Sequence, residues 1–161
     1  MMLSATAEIS EARSHAQLQQ VRELFREYFA EIPAEYCFQD FEREIEGLPG
    51  QYAPPAGSLL LATVSDSAAG CVGLRPFPLA KVCEMKRLYV RPAYRSQKIG
   101  FLLVQELLSQ ARSRNYEFLR LDTHPPSMRT AVALYERMGF VTIDSDPLTA
   151  TPGLQYMQLK L

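Results

Sequence analysis

Residues 84–101 read Glu-Met-Lys-Arg-Leu-Tyr-Val-Arg-Pro-Ala-Tyr-Arg-Ser-Gln-Lys-Ile-Gly-Phe. A β-rich run ends at Val90 and Pro92 interrupts it. A short stretch carrying Arg95, Lys98 and Gly100 then opens onto an apolar-periodic segment. The pattern predicts a strand, a turn and the N-terminus of a helix with cationic side chains beside it. First-turn N–H groups lack intrahelical acceptors and the helix dipole favours negative charge there, so the place is suited to hold an anion.

Upstream of this stretch, Val82–Val90 reads as one strand. Ser58–Val64 reads as a buried strand, Asp66–Gly70 as a hairpin connection, and Cys71–Arg75 as the partner strand, ended by Pro76 and Pro78. Residues 5–9 suggest a short first strand. From Ser14, an N-cap, Leu18, Val21, Leu24, Phe25, Tyr28, Phe29 and Ile32 recur at helical steps until Pro33. A second helical stretch covers residues 36–47, with Phe38, Phe41, Ile45 and Leu48 on one face, and residues 48–57 form a loop by their breakers.

Downstream, Gly100–Arg114 is a helix with Leu103, Leu107 and Ala111 at four-residue steps, and Phe118–Thr123 is a strand stopped by His124-Pro125-Pro126. Met128–Met138 is a helix with Gly139 just past its end. Val141–Ile143 and Gln155–Leu161 close the chain as strands around a polar loop, Asp144–Gly153. The order β-α-α-β-β-β-α-β-α-β-β predicts an α/β (α+β) fold over one domain, residues 1–161, with a mixed sheet of about seven strands flanked by about four helices.

Bulk properties narrow the function classes. The chain has 161 residues, 47% apolar and 22% charged, with a net charge of −1, so neither nucleic acid nor an anionic membrane has an electrostatic claim on it as a whole. Three cysteines, Cys37, Cys71 and Cys83, match no metal-ligand spacing and read as reduced, buried thiols. With His15 and His124 the only histidines, no metal site is expected. Neither a signal-peptide pattern nor an 18-residue apolar run is visible, so the expected localisation is cytoplasmic with no membrane partner.

Two short elements, in the right order, resemble the GNAT superfamily of N-acetyltransferases over nearly the whole chain. The family's acetyl-CoA motif, Arg/Gln-x-x-Gly-x-Gly/Ala after a Val-x-Pro-like strand end, corresponds to Arg95-Ser96-Gln97-Lys98-Ile99-Gly100 after Val90-Arg91-Pro92. Its Leu-Tyr-x-x-x-Gly-Phe helix end corresponds to Leu134-Tyr135-Glu136-Arg137-Met138-Gly139-Phe140. There are two departures: Lys98 stands where the family has its first motif glycine, and Met128 where many members carry a cofactor-bonding Asn.

The resemblance implies a mostly antiparallel sheet and acetyl-CoA as acetyl donor. Main-chain N–H groups of Ser96, Gln97, Lys98, Ile99, Gly100 and Phe101 would cradle its pyrophosphate, with Arg95 and Lys98 adding charge. The pantetheine arm would run along the main chain near Leu88, Tyr89 and Val90. Tyr135 would meet the thioester sulfur and protonate the leaving thiolate; the alternative is an aromatic that only packs helix on sheet.

Acetyl transfer needs a neutral amine and therefore a route for its proton. Glu84 lies where some family members hold a general base; the alternative is an ion pair with Lys86 or Arg75. Strand alternation sets Glu84, Lys86, Leu88 and Val90 on one face and Met85, Arg87 and Tyr89 on the other. Arg75 and Arg87 are candidates for a substrate carboxylate and His124 for an auxiliary base, each against an ordinary structural role. Phe25, Tyr28, Phe29, Tyr36 and Phe38 lie on the two early helices, which in the resembled fold wall the acceptor site, and most of them are expected to be core. The expected function is acetyl transfer from acetyl-CoA to a primary amine of a small or amino-acid-like molecule. A protein or peptide acceptor and a non-catalytic acyl-CoA-binding module are the alternatives. The family resemblance also allows a homodimer.

Overall fold

The computed structural model describes residues 5–33, 40–125, 128–144 and 151–161. Its spine is a hairpin of β2 (Ser58–Val64) and β3 (Ser67–Pro76). Six of the seven β2 residues are buried, as expected of a strand covered on both faces. The sequence placed the start of β3 four residues late. Ser65 and Asp66 alone make the turn, both at positive φ, as a two-residue hairpin loop of the primed kind requires. The Ala68-Ala69-Gly70 run that looked like a connection is strand. Small residues are needed there, because a Cβ on Gly70 would come within 2.6 Å of the Tyr89 carbonyl oxygen.

β1 (Ala7–Glu11) pairs antiparallel with β2, two residues beyond the expected start. α1 (His15–Glu31) begins with a reciprocal cap: Ser14 Oγ accepts from the Gln17 N–H and Gln17 Oε1 accepts from the Ser14 N–H. α1 buries Val21, Leu24, Phe25 and Phe29 against one face of the sheet, together with α2 (Phe41–Glu46) and Tyr52. The expected helix at 36–47 starts at Phe41 among the described residues; Tyr36, Cys37 and Phe38 lie outside them. The opposite face is covered by α3 (Ile99–Ser113) and α4 (Arg129–Arg137), whose core includes Leu103, Leu107 and Tyr135. Burying a leucine of this kind is worth about 1.5–3 kcal/mol, so the two apolar layers hold the helices on the sheet.

The seven strands run in the order β1-β2-β3-β4-β5-β7-β6, with β4 (Val82–Val90), β5 (Phe118–Thr123), β6 (Val141–Ile143) and β7 (Gln155–Lys160). All neighbouring pairs are antiparallel except β4 and β5. The element order and the mostly antiparallel sheet agree with the sequence reading.

β4 departs from simple alternation. Cys71 pairs with Tyr89 but Gly73 pairs with Lys86, so β4 carries one extra residue, a bulge at which Arg87 takes a φ of 62°. Past the bulge the faces exchange. Leu88 and Val90 join Cys83 and Met85 on the α3 side, while Tyr89 packs on the α1 side. Glu84, Lys86, Leu88 and Val90 therefore do not share one face as alternation suggested. Arg87 holds the bulge with two bonds to the Glu44 carboxylate, at 2.9 and 3.0 Å, and its guanidinium lies 4.9 Å from the Phe29 ring centre.

Candidate active site

β4 pairs with β5 only from Val82–Phe118 to Glu84–Arg120, while on its other side β4 stays paired with β3 as far as Val90. The strands then diverge, and the main chain of Met85–Val90 has no strand neighbour on the β5 side. A free strand edge is a hydrogen-bonding template. Two cavities open into the wedge, one of about 550 Å³ towards α3 and α4 and one of about 600 Å³ towards the β3 and β7 ends. They share Tyr28, Ile32, Lys86, Arg87, Leu121, Asp122 and Met128, so they form one cleft with a junction. At the junction Lys86 Nζ lies 3.0 Å from Asp122 Oδ2.

The first half brings unpaired main-chain groups to the cavity. α3 starts at Ile99 with no side chain capping its first N–H groups. Its N-cap, Lys98, has φ 61° and ψ 19°, the left-handed conformation that a glycine would adopt freely. Ser96 also has positive φ, at 72°. Gly100 faces the cavity, and a Cβ there would meet only ordinary contacts at 3.7 and 3.9 Å. Leu88, Tyr89, Val90, Arg95, Ser96, Lys98, Ile99, Gly100 and Phe101 all line this cavity; Gln97 is exposed and is not in its wall.

Arg95 is committed elsewhere. Its Nε donates to the Val90 carbonyl at 2.9 Å and its Nη2 to the Glu31 carboxylate at 2.9 and 3.1 Å. Lys98, Arg129 and Arg137 also line the cavity and make no ion pair among the described residues. Uncapped helix N–H groups, three uncommitted cations and a free strand edge fit an elongated polyanion with an amide-bearing arm.

The match to family models then decides the identity. The Acetyltransferase (GNAT) family model matches residues 18–140, well over half the chain. This chain belongs to the GNAT family. It is 35% identical, over 100% of its own length and 99% of the other, to an uncharacterized N-acetyltransferase of Schizosaccharomyces pombe. It is 28% identical to another from Dictyostelium discoideum, covering 92% of this chain and 96% of that one. A GNAT acetyltransferase from Staphylococcus aureus superposes with a TM-score of 0.80 at 18% identity, covering 96% and 99% of the two chains. The PaiA N-acetyltransferase of Thermoplasma acidophilum, solved in complex with coenzyme A, does so at 0.77 with 23% identity, covering 97% and 99%. The protein is thus an acyltransferase of the GNAT fold.

Within this GNAT cleft, Tyr135 lines the first cavity and Glu84 the second; neither lines both. Tyr135 is only 5% exposed, and burial raises its phenol above the ordinary tyrosine value, with smaller contributions from Tyr28 and Asp122. Its hydroxyl therefore stays protonated at neutral pH. Glu84 is held by Arg75, with Nη2 at 2.7 Å and Nε at 2.8 Å, and Arg75 also donates to Gln51 at 3.0 Å. Arg87 is held by Glu44, so both arginines named for a substrate carboxylate already hold carboxylates of this chain. His124 stands at the end of β5 in the second cavity. Met128 takes its sulfur to the Thr123 hydroxyl at 3.4 Å and offers no amide to the cleft.

The sequence reading missed Asp122, the carboxylate present in both cavities, and the α4 arginines Arg129 and Arg137. Asp122 is the fifth residue of a strand, and its partner Lys86 is 36 positions away. Nothing local marks the pair.

Proposed function

We propose that the protein moves the acetyl group of acetyl-CoA to the primary amine of a small, amino-acid-like acceptor, the amine attacking directly while both molecules are bound. The observation that carries this reading is the wedge between β4 and β5, where a cavity with a free strand edge and an uncapped helix start meets a cavity lined by charged side chains. Acetyl-CoA supplies an acetyl group activated as a thioester. The N–H groups at the start of α3, from Ile99 to Phe101, would hold its pyrophosphate with Lys98, Arg129 and Arg137 adding charge. The edge of β4 at Leu88 and Val90 would hold the pantetheine amides.

Tyr135 would donate a hydrogen bond to the leaving sulfur. A phenol raised by burial above its usual value of about 10 does not readily surrender its proton to a thiolate whose acid has a pKa of about 8.5. Stabilising the anionic sulfur in place, rather than protonating it outright, is the role its chemistry supports. The proton of the amine would pass to the carboxylates at the junction, Asp122 in both cavities and Glu84 one strand row away. Holding amine and thioester together supplies much of the acceleration.

The test is thiol release from acetyl-CoA with a panel of small amines, amino acids and peptides, comparing wild type with Tyr135→Phe and Glu84→Gln. Turnover on small amines that falls in both variants is the expected result. Saturable acetyl-CoA binding with no turnover on any amine or peptide would replace this reading with a binding module. Turnover on peptides alone would move the acceptor to protein.

A further inference from the structure

Four residues stand side by side across the sheet, and the first three, Arg75, Glu84 and Arg120, line the second cavity. Arg75 on β3 is opposite Glu84 on β4, Glu84 is opposite Arg120 on β5, and Arg120 is opposite Gln158 on β7. The row reads cation, anion, cation, neutral amide. Arg75 closes on Glu84, so the second guanidinium is left over.

The same count holds for the whole wall. Its lysine and arginines are Arg75, Lys86, Arg87 and Arg120. The first three pair with Glu84, Asp122 and Glu44 respectively. Arg120 makes no ion pair among the described residues. Its Nε donates to Gln158 Oε1 at 2.8 Å, and its guanidinium lies 5.1 Å from the centre of the Phe77 ring. These contacts fix the plane of the group and leave its two terminal nitrogens without a hydrogen bond among the described residues. Such an edge is preorganised for a carboxylate, since little side-chain freedom remains to be lost on binding.

Arg120 also lies at a useful distance from the junction. Asp122, on the same side of β5, is two residues further along, a step of about 6.6 Å. A compact molecule can therefore place an amine at the junction and an anionic group at Arg120. Among the described residues Arg120 is the one lysine or arginine of this wall without a paired carboxylate, and a single open guanidinium suits a monoanionic carboxylate better than a dianionic phosphate. Asp144, at the exposed rim beyond β6, makes no ion pair among the described residues and adds negative charge on the far side. This arrangement suits a zwitterion, with its ammonium entering past acidic groups and its carboxylate stopping at Arg120.

We infer that Arg120 is the specificity-determining residue of the acceptor cavity, and that the acceptor is an amine carrying a carboxylate within a few bonds of its nitrogen. This rests on the acetyl-transfer reading above, which places the amine at the junction.

The experiment compares amino acids with the corresponding amino alcohols, whose amines titrate close to those of the acids. It uses wild type, Arg120→Gln and Arg120→Lys, with circular dichroism confirming that each variant is folded. Wild type is expected to favour the acids at least about 10-fold in kcat/KM. Arg120→Gln should raise KM for the acids about 10- to 100-fold, with much less effect on kcat, and bring the ratio near one. Arg120→Lys should fall between them. Calorimetric binding of the N-acetylated amino acids is measured alongside.

Wild-type enzyme that acetylates amino alcohols as well as the acids would overturn the inference and leave the transfer reading standing. So would equal losses on both members of a pair in Arg120→Gln, or a phosphomonoester amine preferred to every carboxylate. If no amine is turned over but the N-acetylated acids bind wild type at least 10-fold more tightly than Arg120→Gln, the anion site stands and the transfer reading falls. If they neither react nor bind, the inference falls as well.

Discussion

The two halves of the cleft are made of different materials. The half towards α3 offers main-chain groups, a free strand edge and uncapped helix N–H groups, with Lys98, Arg129 and Arg137 in its wall. The half towards β7 is a lattice of side chains, in which Glu84 and Asp122 are each held by a cation. Among the described residues Asp144 at its rim makes no ion pair and one arginine, Arg120, is spare. Main-chain groups recognise a feature common to every copy of a fixed ligand and do not change when side chains drift. Side-chain rows discriminate, because one replacement alters the charge at one place. A family can therefore keep the first half and vary the second.

That contrast can be broken at several points. The largest effect is expected from Tyr135→Phe, which removes the hydroxyl proposed to meet the leaving sulfur while keeping the ring that packs on Phe140. Steady-state kinetics should show kcat lower by about 10²–10³-fold with KM for acetyl-CoA little changed. A loss confined to KM would mean that Tyr135 serves the backbone half only. Glu84→Gln should cut the rate about 10–100-fold and leave Arg75 without its anion, at a cost of about 1–2 kcal/mol in urea unfolding. An effect on acetyl-CoA KM instead would deny the division between the halves.

Among the described residues each of the sheet's two apolar layers contains one buried thiol, Cys83 on the α3 side and Cys71 on the α1 side. Burial pushes Cys83 up to about 12 and Cys71 further. A thiol raised in the folded state stabilises fully below its unfolded value of about 8.5, and that contribution is lost as pH rises towards the folded value. Stability should therefore fall above about pH 8.5 by about 1.4 kcal/mol per pH unit for each thiol. Urea midpoints across pH 8–10 should show a shallower fall in Cys83→Ala and in Cys71→Ala. Equal slopes in wild type and variants would rule out the thiols as the source.

The smallest expected effect is at Lys98. Its left-handed backbone costs about 1–2 kcal/mol for a residue with a side chain, partly offset because a glycine loses more freedom on folding. Lys98→Gly should raise stability by up to about 1 kcal/mol while raising KM for acetyl-CoA a few-fold through the lost charge. An unchanged KM would show that the backbone half works through its N–H groups alone.

Much of the fold is legible in the sequence. The bounds of β2, β4, β5 and β6 follow from apolar runs closed by breakers, and the Ser14 cap follows from one side chain and its neighbours. The errors share a cause. Ala68–Gly70 looked like a turn because its small residues answer to Tyr89 across the sheet, not to their own propensity. The faces of β4 were misassigned because a bulge is a mismatch between two strands and leaves no sign in one of them.

What the sequence by itself determined is therefore the local part: the order of elements, the turn into α3 with its basic residues, and the tyrosine of α4. Each is written in residues within a few positions of one another. Tertiary structure alone decided the second cavity. The pairing of Lys86 with Asp122, the capture of Glu84 by Arg75 and the surplus of charge at Arg120 depend on register between strands far apart in the chain. A charge is spent or spare only with respect to its neighbours in space.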